Sequence, residues 1–487
     1  MHTANRSGLP LCLLLLLSLT VFSTGWAQRI KSVPFAYQPD ASEDRYNQRI
    51  PHKAYALNGT DFVILSRKSE KGYAVERYGA DLKLKWSAPL NLLPQETVEA
   101  FTPNADAVLV ITHRPSTEGS QSLHARLINL NTGKETQQKK LMEAPSKSRR
   151  LGVAVSDNGS KLVTYHYLTR NEQIRAIQAT VYDASLAKLK DRVYDFEGIG
   201  SNVSANIQID NYGYQYVGLL TDNSLKLSVR RYNNRNNEIK VMEVMLGGTF
   251  DNEKVYVMDT RFQLRQDSTL YAAALVAEEK TGEYRSLKMI RFDYKTNNMR
   301  CADEFKFTPE FVQSIAKASK SAAPERLTDI SLSDILVSSD GQTLVMAEKK
   351  YTEGDLNSNY VAKELLLFAY DEYLKPTWNS VIIKNQVAPA GEGLFGISYS
   401  ARLFSNRLQL LTLETLNGKT DVYVRSIHLL TGGAEGPKAI GLNVANDQQL
   451  AYVKDFTTWL DERTLIAVNR PTKASAGLRL SKITLKQ

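Results

Sequence analysis

Cysteine is nearly absent from this chain, with two in 487 residues. Cys12 lies in an apolar leader, so only Cys301 remains beyond it. No intrachain disulfide and no thiolate-rich zinc site can then be built, and Cys301 is expected to be a buried or half-buried small apolar residue. Histidine is also scarce. His52, His113, His124, His166 and His428 follow the leader, and none lies three to five residues from another, which removes the helical pair of zinc ligands. The sequence has no Gly-x-Ser-x-Gly, no phosphate-cradling glycine loop and no dinucleotide fingerprint. These absences argue against acyl transfer and nucleotide chemistry. No uninterrupted apolar stretch after the leader approaches the roughly 20 residues of a membrane-spanning helix.

What is present begins with the leader. Arg6 precedes a Leu-rich stretch from Leu9 to Phe22, followed by Ser23 to Gln28 with small residues at Gly25 and Ala27. A basic start, a short apolar core and a small-x-small exit read as a secretory signal over residues 1–27, cleaved after Ala27. The expected location is periplasmic or extracellular.

The formal net charge is +9. Lys139-Lys140 with Lys147, Arg149 and Arg150 form one basic group, and Arg230-Arg231 with Arg235 form another. Outside the cytoplasm a basic surface meets anionic polysaccharide, lipid headgroups or an acidic protein, and nucleic acid is not expected. Because Glu and Asp are interleaved along most of the chain, solvated loop charge is the simpler reading of both groups.

The dominant pattern is a recurrence. Eight times an Asn or Asp in a polar turn precedes a short apolar run: Asn58, Asn104, Asp157, Asn211, Asp267, Asp340, Asn406 and Asp461. Subtracting neighbouring positions gives spacings of 46, 53, 54, 56, 73, 66 and 55. A period of this size marks a repeat architecture, because one unit cannot bury its apolar surface alone. A second apolar run follows each first one, as in Ala176 to Tyr182 or Glu364 to Tyr370. A more polar third segment then follows, such as Leu82 to Trp86, and a fourth precedes the Asn or Asp, such as Val203 to Ile209. The unit therefore reads as four antiparallel strands joined by tight turns. Nearly continuous apolar middle strands, with Leu365 to Phe368 the clearest, require cover on both faces, whereas the alternating last strand fits a wetted edge.

The fold expected is an all-β propeller of seven or eight four-stranded blades. The blades fall at 54–90, 97–142, 150–196, 203–247, 255–307, 328–385, 395–440 and 450–487. The last unit holds three strands, and the expected fourth comes from residues 30–37, closing the ring. The wide spacing after Asp267 contains Thr308 to Ala318, where a capping Thr, Pro309, Glu310 and a Phe311, Ile315, Ala318 face predict a short helix near 308–320. It is expected to lie over the propeller, either as decoration or shielding one mouth of the channel.

The stretch Ile330 to Gln386 carries Ser339-Asp340-Gly341, Ala347 to Tyr351, Leu365 to Tyr370, Trp378 and Ile383 to Gln386. It resembles uncharacterised secreted β-propeller-like proteins of Bacteroidota. The resemblance implies an exported propeller and brings no activity, cofactor or catalytic residue with it.

Candidate chemistry is sparse. His113 and His166 occupy similar places in successive units, which admits convergence near a channel. Paired carboxylates remain open because propeller glycosidases draw them from different blades: Asp329 with Asp334, Asp251 with Asp259, and Glu348 all sit beside expected strands. Turn formation or solvation is the commoner role for such residues. Asp157-Asn158-Gly159 and Asp340-Gly341 lack the further ligands of a calcium loop and read as hairpin turns. Tyr165, Tyr167, Tyr212, Tyr214, Tyr216 and Tyr271 suit loop recognition, yet tyrosine is also a good strand residue. No catalytic residue, cofactor-binding residue or metal ligand is assigned. The function expected is an exported non-catalytic binding or scaffolding propeller for a protein or envelope polymer, with peripheral envelope association open. The alternative is a propeller-fold glycoside hydrolase or lyase acting on extracytoplasmic carbohydrate. It calls for three or more carboxylates with raised pKa values at one channel mouth. An outer-membrane barrel would need longer strands with lipid-facing alternation.

Overall fold

The computed structural model describes residues 29–486 except 40–49, 58–59, 70–71, 116–118, 197, 200–203, 251–252, 320–326, 355–357, 391–392, 448 and 473–476. The expected leader with Cys12 and Ala27, the Asn58 turn, Val203 and Asp251 therefore lie outside the described residues.

The described strands form eight sheets, each built on four antiparallel strands, and the whole is an eight-bladed propeller. In blade 1 the order from the axis outward is Ala54–Ala56, Phe62–Arg67, Gly72–Tyr78 and Leu84–Asn91. The other blades repeat it, and blades 5 and 6 add short strands at Gly248–Phe250, Phe305–Lys306 and Gln386–Ala388. Two of the recurring residues, Asn104 and Asp461, show a local cause. Asn104 Oδ1 accepts the N–H groups of Asp106 and Ala107 at 2.9 and 2.8 Å, and Asp461 Oδ1 those of Arg463 and Thr464 at 2.8 Å each. The side chain thus satisfies the turn that links the first two strands of a blade.

Blade 8 contains Tyr452–Trp459, Thr464–Asn469 and Arg479–Thr484, and its outermost strand is Arg29–Pro34. The register runs Ile30 to Ile483, Ser32 to Ser481 and Pro34 to Arg479. The two ends of the chain therefore meet in one sheet.

The core is distributed around the ring, because each blade buries both faces against its neighbours. Among the described residues each of the eight seams holds a large apolar cluster, and a ninth, smaller one of Tyr360, Ala362, Ala388 and Ile397 lies beside the seam of blades 6 and 7. Val63, Leu65, Val75, Val108 and Val110 lie between blades 1 and 2, and Leu344, Leu365, Leu367, Leu408 and Leu410 between blades 6 and 7. The seam made by closure is equally dense, with Phe35, Phe62, Ile64, Phe456, Ile466 and Leu480. Fully burying such side chains contributes about 1.5–3 kcal/mol each.

Polar latches add to the seams. The outer-strand Trp86 donates its indole N–H to the Leu130 carbonyl of blade 2 at 2.8 Å, and Trp378 of blade 6 does the same to Leu429 of blade 7 at 2.6 Å. Each ring lies against a turn glycine, Gly133 at φ +69° or Gly432 at φ +67°, where a Cβ would come within 2.7 Å of the indole. Only glycine meets both the backbone and the contact.

The helix forms at Pro309–Ser319, with the Thr308 hydroxyl accepting the Phe311 N–H at 3.3 Å. It packs beside blades 5 and 6, where Phe305, Phe307, Phe311 and Phe368 form a ring cluster with centroids 4.8–6.3 Å apart. Ile315 is buried in the cluster of that seam. None of its residues lines the central channel, so it seals a seam and shields no mouth. Cys301 also departs from expectation. It ends the outer strand Asn298–Cys301 of blade 5, beyond which no described strand pairs, and is exposed.

Candidate functional site

The innermost strands surround a channel of about 1430 Å3. Seven blades supply its wall, and among the described residues Ser204–Ile209 of blade 4 supplies none. Four innermost strands carry a register shift there: between Val98 and Ala100 in blade 2, Val257 and Asp259 in blade 5, Leu332 and Asp334 in blade 6, and Val453 and Thr458 in blade 8. Such a shift re-aims side chains out of strict alternation, and the shifted segments carry Glu99, Asp259, Asp334 and Asp455 on the wall.

Asp259 joins two of the shifted segments, since its Oδ2 accepts the Leu332 N–H at 2.8 Å. Burial pushes its carboxyl above the ordinary value. The Leu332 and Thr260 amides and the Arg261 and Lys350 charges oppose that rise without cancelling it. Asp334 accepts the Tyr399 hydroxyl at 2.6 Å and lies 3.9 Å from the Arg261 guanidinium. Burial, reinforced by the Asp334 and Glu348 charges, raises the Tyr399 phenol well above its usual value. Tyr284 is pushed up to about 12 by burial and by Asp259 and Asp329. Tyr55 reaches about 12 through burial and the Asp157 charge.

In blade 8, Asp455 lies 3.2 Å from the Lys454 ammonium and 3.6 Å from that of Lys53. Glu99 is paired with Arg150 and accepts the Thr97 hydroxyl. His52 is held below its ordinary value chiefly because the ring encloses it. Asp334 and Asp455 pull it up, while Lys454 and Arg402 add to the lowering.

The residues singled out from sequence divide sharply. Asp259, Asp329 and Asp334 come together on the channel wall. Asp157 also reaches it, from a turn in which the Gly159 N–H bonds the Ser156 carbonyl at 2.9 Å. Glu348 does not. It is fully buried at the seam of blades 6 and 7, with Lys384 at 2.6 Å, Lys350 at 3.3 Å and the Ser398 hydroxyl at 2.6 Å. Burial works against both charges of the central pair. For Glu348 the Lys384 and Lys350 ammonium groups outweigh it and hold the carboxyl below the ordinary value. Burial leaves Lys384 below its own, with Glu348 opposing. Gln386 completes the network by accepting from Lys384 at 2.9 Å and donating to the Ser398 and Leu413 carbonyls. Glu348 is thus part of the seam.

His113 and His166 do not converge on the channel, because both lie on second strands. Each bonds a glutamine across the sheet, Gln121 at 2.9 Å and Gln178 at 3.0 Å. The tyrosines follow strand packing: Tyr216 and Tyr271 are buried, and Tyr165 and Tyr167 pair edge to face at 5.7 Å. Tyr212 alone of those six is strongly exposed. Much of the basic character is engaged locally. Lys139 donates to the Leu186 carbonyl, Lys140 pairs with Glu143, Arg150 with Glu99, and Arg231 donates to the Tyr294 carbonyl while covering the Tyr214 ring. Sequence reasoning missed His52, Tyr399 and Arg402, which no periodicity distinguishes from other polar strand residues.

No family model matches the chain, and no curated protein does. Solved structures resemble it in fold. A prolyl endopeptidase is 10% identical with a TM-score of 0.43, over 87% of this chain and 55% of its own length, so the chain spans little more than half of that enzyme. The WD40 domain of SCAP from fission yeast is 10% identical with a TM-score of 0.42, over 94% of this chain and 98% of its own. The polysaccharide lyase Uly1 is 10% identical with a TM-score of 0.38, over 80% and 90%. These likenesses concern fold alone.

Proposed function

We propose that this protein is an exported, non-catalytic binding propeller, working in the periplasm or outside the cell, that seats a protein or envelope polymer at its central channel. The observation that carries the reading is the state of the channel carboxylates. The carboxylates lining the channel are Glu99, Asp157, Asp259, Asp329, Asp334 and Asp455, and burial holds that of Asp259 above its ordinary value. Asp334, Asp455 and Glu99 are each engaged by a neighbouring hydroxyl or cation. A glycosidase needs two carboxyls of contrasting state facing one bond, and groups engaged in this way serve better as fixed acceptors. Rigid blades around a wide polar cavity suit recognition, because little ordering is required on binding.

Asp259 supports a second reading, in which a protonated carboxyl acts as general acid in a hydrolase or lyase. One experiment separates the two. The mature protein is used to capture ligands from an envelope fraction, and captured or candidate polymers are then followed for chain shortening. Saturable binding with no shortening supports the platform. Shortening by the natural protein that disappears in Asp259→Asn overturns it in favour of the enzyme.

A further inference from the structure

Arg402 stands apart from the other charges of the channel. It lies on the innermost strand of blade 7, Tyr399–Phe404, and lines the cavity with an exposed side chain. It has no hydrogen-bond or ion-pair partner among the described residues, although its charge reaches His52. The acids nearest in the electrostatics of His52 are already engaged: Asp334 by Tyr399 and Arg261, Asp455 by Lys53 and Lys454. Lys349 flanks the same wall, its ammonium 6.0 Å from the centre of the channel-lining Tyr351 ring, and Lys363 lies 5.5 Å from that ring. This arc of blades 6 to 8 therefore presents the Arg402 guanidinium to a ligand, while Asp334 and Asp455 are held by their neighbours and Asp329 is met by the Thr328 hydroxyl.

The rest of the wall describes what such a ligand carries besides an anion. Ser156, Thr260, Gln263, Ser331, Ser333 and Ser400 place small donors and acceptors around the cavity. A peptide docks best where apolar anchors meet fitted pockets. A hydroxylated chain is matched by many small polar groups and partly exposed aromatic faces, here Tyr55 and Tyr351.

Resting on the binding reading above, we infer that the channel takes an acidic polysaccharide, with the Arg402 guanidinium receiving a carboxylate or sulfate of the sugar in its planar fork.

The test uses the full mature chain in titration calorimetry with polygalacturonate, dextran sulfate, uncharged dextran and poly-glutamate. It compares the natural protein with Arg402→Gln, with Ser400→Trp to obstruct the channel, and with Arg407→Gln as a surface control paired to Glu435. Unchanged melting of the Arg402 variant shows that its fold is kept. The expected result is that polygalacturonate or dextran sulfate binds, more weakly as salt rises. Arg402→Gln then loses at least about tenfold in affinity, as hydrogen bonds to charged groups are the stronger class, Ser400→Trp loses binding and Arg407→Gln does not. An anionic glycan bound equally by Arg402→Gln overturns the role of Arg402. Poly-glutamate or dextran bound in preference, and lost in Ser400→Trp, overturns the acidic-glycan inference while leaving the channel a binding site. An anionic glycan bound unchanged by both channel variants places binding elsewhere and overturns both readings, as does failure of every polymer to bind.

Discussion

Replacing Lys384 with Met tests whether the Glu348 network holds the seam of blades 6 and 7. The substitution keeps the length and apolar stem of the side chain and removes the ammonium group 2.6 Å from a carboxylate that has no exposure of its own. Breaking a buried pair by deleting one partner costs about 3–5 kcal/mol. Lys350 remains at 3.3 Å, which sets the expectation at the lower end, about 3 kcal/mol. At about 2.1 cal/mol/K per residue, a chain of this length unfolds with an entropy near 1 kcal/mol per degree, so Tm falls by about 3 °C. The pH dependence carries a sign. In the natural protein the Glu348 carboxyl lies below its ordinary value, so its contribution is complete above the unfolded value of about 4.3 and is lost as pH falls through the lower folded one. With Lys384 gone, burial raises the carboxyl instead. The deficit of the variant is then largest at neutral pH and narrows on acidification, as protonation removes the uncompensated charge. Glu348→Gln combined with Lys384→Met recovers most of the loss, since the glutamine can still accept the Ser398 hydroxyl. Thermal melts followed by circular dichroism across pH read all three variants. A deficit below about 1 kcal/mol, a deficit independent of pH, or a double variant no better than the single one would refute the reasoning.

Gly133→Ala is expected to cost about 2 kcal/mol and Tm about 2 °C, from the left-handed backbone and displacement of the Trp86 ring; a neutral result in a melt contradicts the latch. Phe311→Ala is expected to lower stability by about 2 kcal/mol through the aromatic cluster it shares with Phe305, Phe307 and Phe368, with channel affinity in calorimetry unchanged. Altered affinity at unchanged stability would return the helix to the role of a lid. Asp259→Asn is expected to raise Tm at neutral pH. Because the folded carboxyl sits above its ordinary value, its ionised form opposes folding, and the gain fades below the ordinary carboxylate range. A Tm lowered at neutral pH contradicts that assignment.

The ring was legible because its grammar is local. An Asn or Asp turn every 46 to 73 residues, nearly continuous middle strands and an incomplete last unit all follow from turn chemistry and burial within short segments. The helix was legible for the same reason, with Thr308 as its cap and Pro309 in its first turn. Its place was not, because Phe311 meets Phe368 across more than fifty residues of chain. The channel was legible only in part. Innermost strands are partly polar and several carry register shifts, so Asp259 and Asp334 stood out as acids beside strands while Arg402, in a strand, and His52, just before one, looked like any other polar residue. Glu348 was misleading because its partners Lys384 and Ser398 belong to later segments of the chain. The exposure of Cys301 depends on an outer edge beyond which no described strand pairs, which local hydropathy does not report.

The account rests on a closed ring, and the join between its ends can be measured directly. Ser32 and Ser481 face each other across the closing pair with their hydroxyl oxygens 2.9 Å apart. Ser32→Cys with Ser481→Cys, in a Cys301→Ser background, places two thiols on directly opposed strand positions, within the Cα separation a disulfide spans. Mild oxidation of the folded protein should give a monomeric cross-linked chain in near-complete yield, identified by the linked peptide in mass spectrometry and by faster migration in a non-reducing gel. Free thiols or intermolecular dimers from the folded protein would contradict closure, and with it the loop-ringed channel.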